Sequence, residues 1–193
     1  FVAGDDQGTT IIPSFNLENT TDEPIDVIFT ATATTNDTTA CSGGTSLYVL
    51  TINPTARLDA IPNQTICSQS NFNDVFVNSP TLPSTSITYE WTVTSAGSNL
   101  SGYTTNAGPI GVSNPIFGET ITNASNLAED LVYTLPPYFD GCAGTTQTFT
   151  ITVLPTPEIF AMDEVICSED TFNVIPSNGS TSTTIVPVNT TYT

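Results

Sequence analysis

Short stretches of strict apolar–polar alternation dominate the chain. Thr146-Gln-Thr-Phe149-Thr-Ile151-Thr-Val153 puts Phe149, Ile151 and Val153 on one side of a strand and threonine on the other, and Tyr89-Glu-Trp91-Thr-Val93 behaves alike. Val75-Phe-Val77, Ile116-Phe-Gly-Glu-Thr-Ile121 and Asp130-Leu-Val-Tyr-Thr-Leu135 read as further strands. Between them lie Asn78-Ser-Pro-Thr-Leu-Pro, Ser98-Asn99, Asn106-Ala-Gly-Pro and Asp140-Gly141, which carry turn chemistry. No segment keeps a 3.6-residue period; Ala124 to Asp130 allows one helical turn at most. Roughly seven short strands per hundred residues, with a lone Trp on an early strand, predict an all-β fold of immunoglobulin-like sandwiches. Trp91, Tyr89, Tyr133, Phe149, Ile151 and Val153 are the expected core. A sugar-stacking role for Trp91 is the alternative that this reading sets aside.

The pattern repeats at offsets of 100 to 104 residues. Ile66-Cys67-Ser68 recurs as Ile166-Cys167-Ser168, each followed by a Phe-Asn pair. Cys41-Ser-Gly-Gly recurs as Cys142-Ala-Gly-Thr, Val27-Ile-Phe-Thr as Leu131-Val-Tyr-Thr, and Leu17-Glu-Asn19 as Ile121-Thr-Asn123. Leu47-Tyr-Val-Leu-Thr-Ile-Asn-Pro54 aligns with Thr148-Phe-Thr-Ile-Thr-Val-Leu-Pro155, and Thr88-Tyr89 with Thr191-Tyr192. The phasing makes residues 1–54 the C-terminal half of one repeat, 55–156 a complete repeat, and 157–193 the N-terminal half of a third. Pro54, Pro155 and Pro157 stiffen the junctions. Both ends fall inside repeats, and Phe1-Val-Ala-Gly-Asp-Asp has neither the basic start nor the apolar stretch of a secretion signal. A longer tandem array is therefore expected.

Composition narrows the chemistry. The net charge is −18, from 19 acidic residues against one Arg, with no Lys and no His. Arg57 alone makes no basic footprint, which argues against nucleic-acid binding and against docking on anionic membranes. Without His there is no Ser-His-Asp triad and no His-ligated zinc. No apolar run approaches the roughly 18 residues of a membrane span. Disorder is excluded by the 38% hydrophobic content, with 10 Phe and 6 Tyr. The 37 Thr suit outer strand faces, because a β-branched side chain supports a strand while its hydroxyl faces water. Carboxylate pairs and hard-cation sites remain.

The series Ile-Cys-Ser-x-x-x-Phe, Thr-Tyr-x-Trp-x-Val, Leu/Ile-x-Asn, Val-Tyr-Thr, Cys-x-Gly and Thr-Phe-Thr-Ile-Thr-Val-x-Pro-x-Pro, spread over the whole chain, resembles the PKD-like, immunoglobulin-fold repeats of giant cell-surface proteins of gliding Bacteroidota, the SprB-type adhesins among them. The first repeat departs from the pattern through its Asp37-Thr-Thr-Ala insert before Cys41. The resemblance implies type IX secretion, an extracellular location on the outer cell surface, and a filament without catalysis that serves gliding and attachment. Its implied partners are neighbouring repeats of the same chain, the surface motility or anchoring machinery, and an external surface or polysaccharide. An accessory module of a secreted polysaccharide-degrading enzyme is the alternative.

Four cysteines fall at two places per repeat, with spacings of 26, 75 and 25 that do not suit zinc. The oxidising setting that the resemblance implies favours disulfides over free thiols. Cys67 with Cys142 would close a repeat on itself, contributing about 4 kcal/mol. Pairing between repeats, or of Cys41 with Cys67 and Cys142 with Cys167 across a linker, stays open, because the two cysteines of one repeat sit in turns at opposite ends of a simple sandwich. Paired carboxylates occur at Asp5-Asp6, Asp22-Glu23, Glu129-Asp130, Asp163-Glu164 and Glu169-Asp170. Adjacent strand residues face opposite ways, so a glycosidase pair is disfavoured. The group Asp163, Glu164, Glu169 and Asp170 near the second linker is the candidate Ca²⁺ site, although no cofactor is the expectation and solvated surface charge the simpler reading. Sequons at Asn19, Asn36, Asn63, Asn99, Asn123, Asn178 and Asn189 are expected by chance in so Asn- and Thr-rich a chain. Asp37-Thr38-Thr39 resembles the O-linked sugar acceptor of these bacteria, which makes Thr38 a glycosylation candidate.

Overall fold

The structure, a computed structural model, describes residues 16–35, 38, 40–179 and 184–192. Two compact units are present, Phe1–Pro54 and Thr55–Thr193.

Within the first unit, β1 (Ile25–Thr34) and β2 (Ser42–Ile52) form an antiparallel hairpin. Val27 lies opposite Leu50 and Phe29 opposite Tyr48, with the two rings 6.2 Å apart. Directly opposed residues share a face, so alternation on both strands gathers these four side chains on one side. That side is incompletely covered: Val27, Phe29 and Leu50 are half-buried and Tyr48 is exposed.

The second unit is a two-layer β-sandwich. Its strands are β3 (Gln64–Cys67), β4 (Ser70–Asn71), β5 (Ile87–Ala96), β6 (Leu100–Ser101), β7 (Asn106–Gly111), β8 (Thr120–Asn123), β9 (Glu129–Leu135), β10 (Pro137–Phe139), β11 (Cys142–Ala143) and β12 (Gln147–Leu154). One sheet runs β11-β10-β5-β9-β12-β3, with β7 also on β5; the other runs β4-β8-β6. The period-two pattern is realised along β12, where Phe149, Ile151 and Val153 are buried, and along β9, where Leu131, Tyr133 and Leu135 are buried. Against them pack Phe72, Leu100, Ile116 and Ile121 from the opposite layer. Tyr133 stacks on Phe149 at 4.7 Å with the rings 3° from parallel, while Trp91 at 5.4 Å and Phe72 at 6.0 Å approach it at steeper angles. Each such ring contributes about 1.5–3 kcal/mol through burial.

Some elements differ from expectation. Val75 and Ile116 meet in an isolated bridge rather than in full strands, because Val75 and Val77 turn inward while Phe76 and Phe117 face water. Gly118 fits there because a Cβ would collide with the carbonyl oxygen of Phe72. β3 pairs with β12 in parallel, Ile151 opposite Gln64 through Leu154 opposite Cys67. Residues 157–192 cluster with the second unit, and among those described they carry one bridge, Glu158 with Ile185. Val165, Phe172, Ile175 and Val188 in that segment are exposed.

Candidate functional site

The most tightly organised polar feature is built on Asn123, at the end of β8. Alternation places its side chain inward beside Ile121, and it is 3% exposed. A buried amide must satisfy two donors and an acceptor. Its Nδ2 donates to the carbonyl oxygens of Leu127 at 2.7 Å and Val153 at 2.8 Å. Its Oδ1 accepts from the N–H of Ser125 at 2.9 Å and from the Ser125 hydroxyl at 2.8 Å. The Asn123 main-chain N–H donates to Ser68 Oγ at 2.9 Å, and the Ser68 N–H donates to the Leu154 oxygen at 2.8 Å. Thus β8, the turn that follows it, the end of β12 and the residue after β3 are tied at one point.

The first unit contains the same arrangement. Asn19, 6% exposed, donates through Nδ2 to Glu23 and Ile52 oxygens, both at 2.8 Å, and accepts at Oδ1 from Thr21. Thr51 donates to Asp26 Oδ1 at 2.6 Å, as Thr152 does to Asp130 Oδ1 at 2.7 Å. Asn19 and Asn123, both in sequons, hold strand ends together through their side chains. The signal that pointed to them is the recurrence of an aliphatic residue two before each Asn and a hydroxyl residue two after it.

Two further side chains bind the edge of the sandwich. Asn63 Oδ1 accepts the Thr150 N–H at 2.8 Å, and Gln64 exchanges hydrogen bonds with the Asn73 backbone at 3.0 and 2.8 Å. Both lie at the Gln64 end of the parallel β3–β12 ladder, and at its other end the Thr156 hydroxyl donates to the Ser68 oxygen at 3.3 Å.

The expected core residues are all buried, from fully enclosed Tyr89, Tyr133, Ile151 and Val153 to Trp91 at 6% exposure. Tyr89 donates its hydroxyl proton to the Asn114 oxygen at 2.7 Å, and burial pushes its pKa up to about 12. Burial first, then Glu119 and Tyr103 nearby, raises that of Tyr133. The Tyr133 hydroxyl finds no partner among the described residues.

The fold speaks against the within-repeat pair of Cys67 with Cys142. Cys41, Cys67, Cys142 and Cys167 are all free and exposed. Within the complete repeat, Cys67 lies opposite Leu154 at one end of the sheet, whereas Cys142 lies opposite Phe139, which pairs with Ile87 at the other. The length of β5 separates these ends, roughly 30 Å at about 3.3 Å per residue, far beyond the roughly 7 Å limit for a bridge.

Asp163, Glu164, Glu169 and Asp170 are exposed, and among the described residues no three His, Cys, Asp or Glu side chains converge on a metal-sized site. Of the carboxylate pairs, Asp5-Asp6 lies outside the described residues. Glu129 and Asp130 serve separate hydrogen bonds, to Asn99 and to Thr152. Asn99, through its side-chain amide and then its main-chain N–H, holds the Glu129 carboxyl below its ordinary range, opposite to what a general acid needs. Thr38 is exposed in a turn between β1 and β2, with Asp37 and Thr39 outside the described residues. A shallow depression of about 240 Å³, lined by Ile61, Pro62, Gln64, Asp74, Val75 and Phe76, is smaller than ordinary ligand pockets of roughly 300–1,000 Å³. No described helix is long and apolar enough to cross a membrane.

Residues 64–157 match the PKD-like domain family. No curated protein matches the chain. The matched span runs from the first residue of β3 to just beyond β12, and supports a structural, non-catalytic PKD-like module.

Proposed function

We propose that the chain is a repeat segment of a large filamentous adhesin on the outer cell surface, serving gliding motility and attachment by transmitting force. The observation that carries this reading is the parallel pairing of the module's first and last strands, β3 and β12. A pull on a tandem array draws β3 toward the N-terminus and β12 toward the C-terminus. In a parallel pair this loads the hydrogen bonds in shear, so several must yield together. Asn63 and Asn123 add side-chain bonds at the ends of that ladder, and the Ser68 main-chain N–H adds a bond to the Leu154 oxygen. Repetition supports the same reading, since the Asn-centred knot recurs at the end of the β1–β2 hairpin.

The working parts in this proposal are the modules themselves, without metal or catalytic residues. Neighbouring repeats are the immediate partners, surface motility or anchoring machinery holds one end, and an external surface or polysaccharide is gripped. Type IX export follows from the family resemblance. The one-signed charge suits a long fibre, because parallel filaments lack opposite charges with which to bundle.

Antibody against residues 55–156, applied to intact cells of the producing bacterium, tests the proposal. Surface label that moves along gliding cells, and antibody that arrests gliding, are expected. Label found in the medium with a polysaccharide hydrolase overturns it in favour of an enzyme's accessory module.

A further inference from the structure

Within residues 55–156, Phe76 and Phe117 hold their rings in water, 71% and 69% exposed. Val75 and Ile116, one residue before each, are buried and exchange main-chain hydrogen bonds of 2.9 and 3.0 Å in the isolated bridge. Successive residues of an extended chain face opposite ways, so both rings stand on the outer side of that bridge. Across an antiparallel pair they are diagonal neighbours, whose usual spacing is roughly 7–8 Å. Their backbone is held firmly. Val77, next to Phe76, is buried, and the Gly118 N–H, next to Phe117, donates to Asp74 Oδ1 at 2.8 Å.

The fold does not need these rings. In the repeat alignment Val75 becomes Ile175 and Ile116 becomes Ile12, whereas Phe76 becomes Pro176 and Phe117 becomes Pro13. The inward positions stay aliphatic while the outward rings are given up, so the pair belongs to this module in particular. Two aromatic rings left together in water, with a polar rim, mark a contact surface. That rim narrows what covers them. Asn73 and Asp74 are exposed, and Asp74 and Gln64 line the shallow depression beside Phe76. In a chain of net charge −18 this surface repels anions and offers oxygen acceptors. A matching ligand is neutral, donates hydroxyl protons and turns a C–H face to each ring, where the π cloud is negative. A pyranose with equatorial hydroxyls has that face, since its axial C–H bonds point to either side of the sugar ring. A long sugar chain lies across an open surface and needs no enclosed pocket.

We propose that Phe76 and Phe117 form a platform on which this module binds a neutral β-linked glucan, the two rings stacking under neighbouring sugars and Asp74 accepting a hydrogen bond from a hydroxyl. This grip is one form of the attachment proposed above and rests on that reading. Its test uses the purified chain, so a failure there leaves surface location and gliding to be decided separately on cells.

Isothermal titration of the 193-residue chain with cellohexaose is expected to give a Kd of about 0.1–1 mM, unchanged or tighter in about 1 M salt. Phe76→Ala and Phe117→Ala are each expected to weaken binding roughly 10-fold, with the urea midpoint read by Trp91 fluorescence unmoved because both rings are exposed. Phe76→Trp keeps a ring face and is expected to bind at least as tightly as the parent. Oligogalacturonate, the anionic counterpart, is expected to give no heat. Absence of cellohexaose binding overturns the proposal, as does binding that survives both alanine changes, is lost in salt, or is matched by oligogalacturonate. Concentration-dependent dimers abolished by Phe76→Ala would assign the rings to a second copy, and flotation with phosphatidylcholine vesicles abolished by Phe117→Ala would assign them to a lipid surface; either overturns the glucan platform.

Discussion

Asn123 donates a side-chain N–H to the main-chain oxygen of Val153 across 2.8 Å, linking the end of β8 to the end of β12 in the opposite layer of the sandwich. Asn19 makes the equivalent bond to Ile52, also at 2.8 Å. A buried amide with both donors and its acceptor engaged costs little to keep and much to break. It also sets the position at which β12 hands over to the linker that begins at Pro155.

Asn123→Ala is expected to destabilise the module by about 2–4 kcal/mol, since the Leu127 and Val153 oxygens lose their donor inside the protein. Urea unfolding followed by Trp91 fluorescence measures it. Asn123→Asp tests the geometry, because a carboxylate retains the acceptor and supplies neither donor; it is expected to be at least as damaging. A loss below about 0.5 kcal/mol for both would remove the knot from the account.

Tyr133→Phe removes a buried hydroxyl that no described group pairs. The ring and its stack on Phe149 remain, so stability is expected to hold or to rise by about 1 kcal/mol. Calorimetry of the two proteins checks this, and a clear loss would reveal a partner for the hydroxyl.

Alkaline pH is expected to weaken the fold. Tyr89, pushed up to about 12, and Tyr133, raised further, both stay protonated in the folded state after the unfolded chain begins to ionise near pH 10. The folded state then holds more protons, so stability is flat with respect to these groups below about pH 10 and falls above it. The limiting slope is about 1.4 kcal/mol per pH unit for each tyrosine. Tyr133→Phe should halve the slope in denaturant titrations across that window.

Thiol chemistry should leave the module's stability untouched. All four cysteines are expected to alkylate in the folded, unreduced protein, as read by intact mass, and reductant should not shift the melting temperature. A protected Cys67–Cys142 pair would contradict the separation of the sheet ends.

Pulling the array by its ends is expected to give unfolding events set by the β3–β12 ladder. Ile66→Pro, inside the parallel strand and opposite Val153, removes an N–H on the side of β3 that faces β12, the side from which Ser68 two residues on donates to Leu154. It should lower the unfolding force in single-molecule stretching far more than the same change at Ser113, a turn residue outside the strands. Equal forces would show that the load passes elsewhere.

Much of this was legible in the residues. Val153, Ile151 and Phe149 announce their buried face because a strand's side-chain period is two, and the 101-residue offset between Leu50 and Ile151 announces a repeated hairpin. Val75-Phe-Val77 misled because the same alternation also arises where one bridge, with Ile116, holds a segment beside the core. Asn123 was visible as a repeat landmark and as a sequon, and neither short pattern shows which side of a strand is enclosed. The pair Cys67–Cys142 was not legible for a related reason: recurrence says that a position matters, whereas a disulfide requires two positions to meet.

By itself, the sequence determined the strand class, the inward faces, the repeat length and the missing chemistry, because these follow from side-chain period, composition and the absence of His and Lys. Tertiary structure decided the parallel pairing of β3 with β12, the burial of Asn19 and Asn123 in matching knots, and the wide separation of Cys67 from Cys142. Those depend on which distant segments lie side by side, and pairing energies between strands far apart in the chain leave little trace in either strand alone.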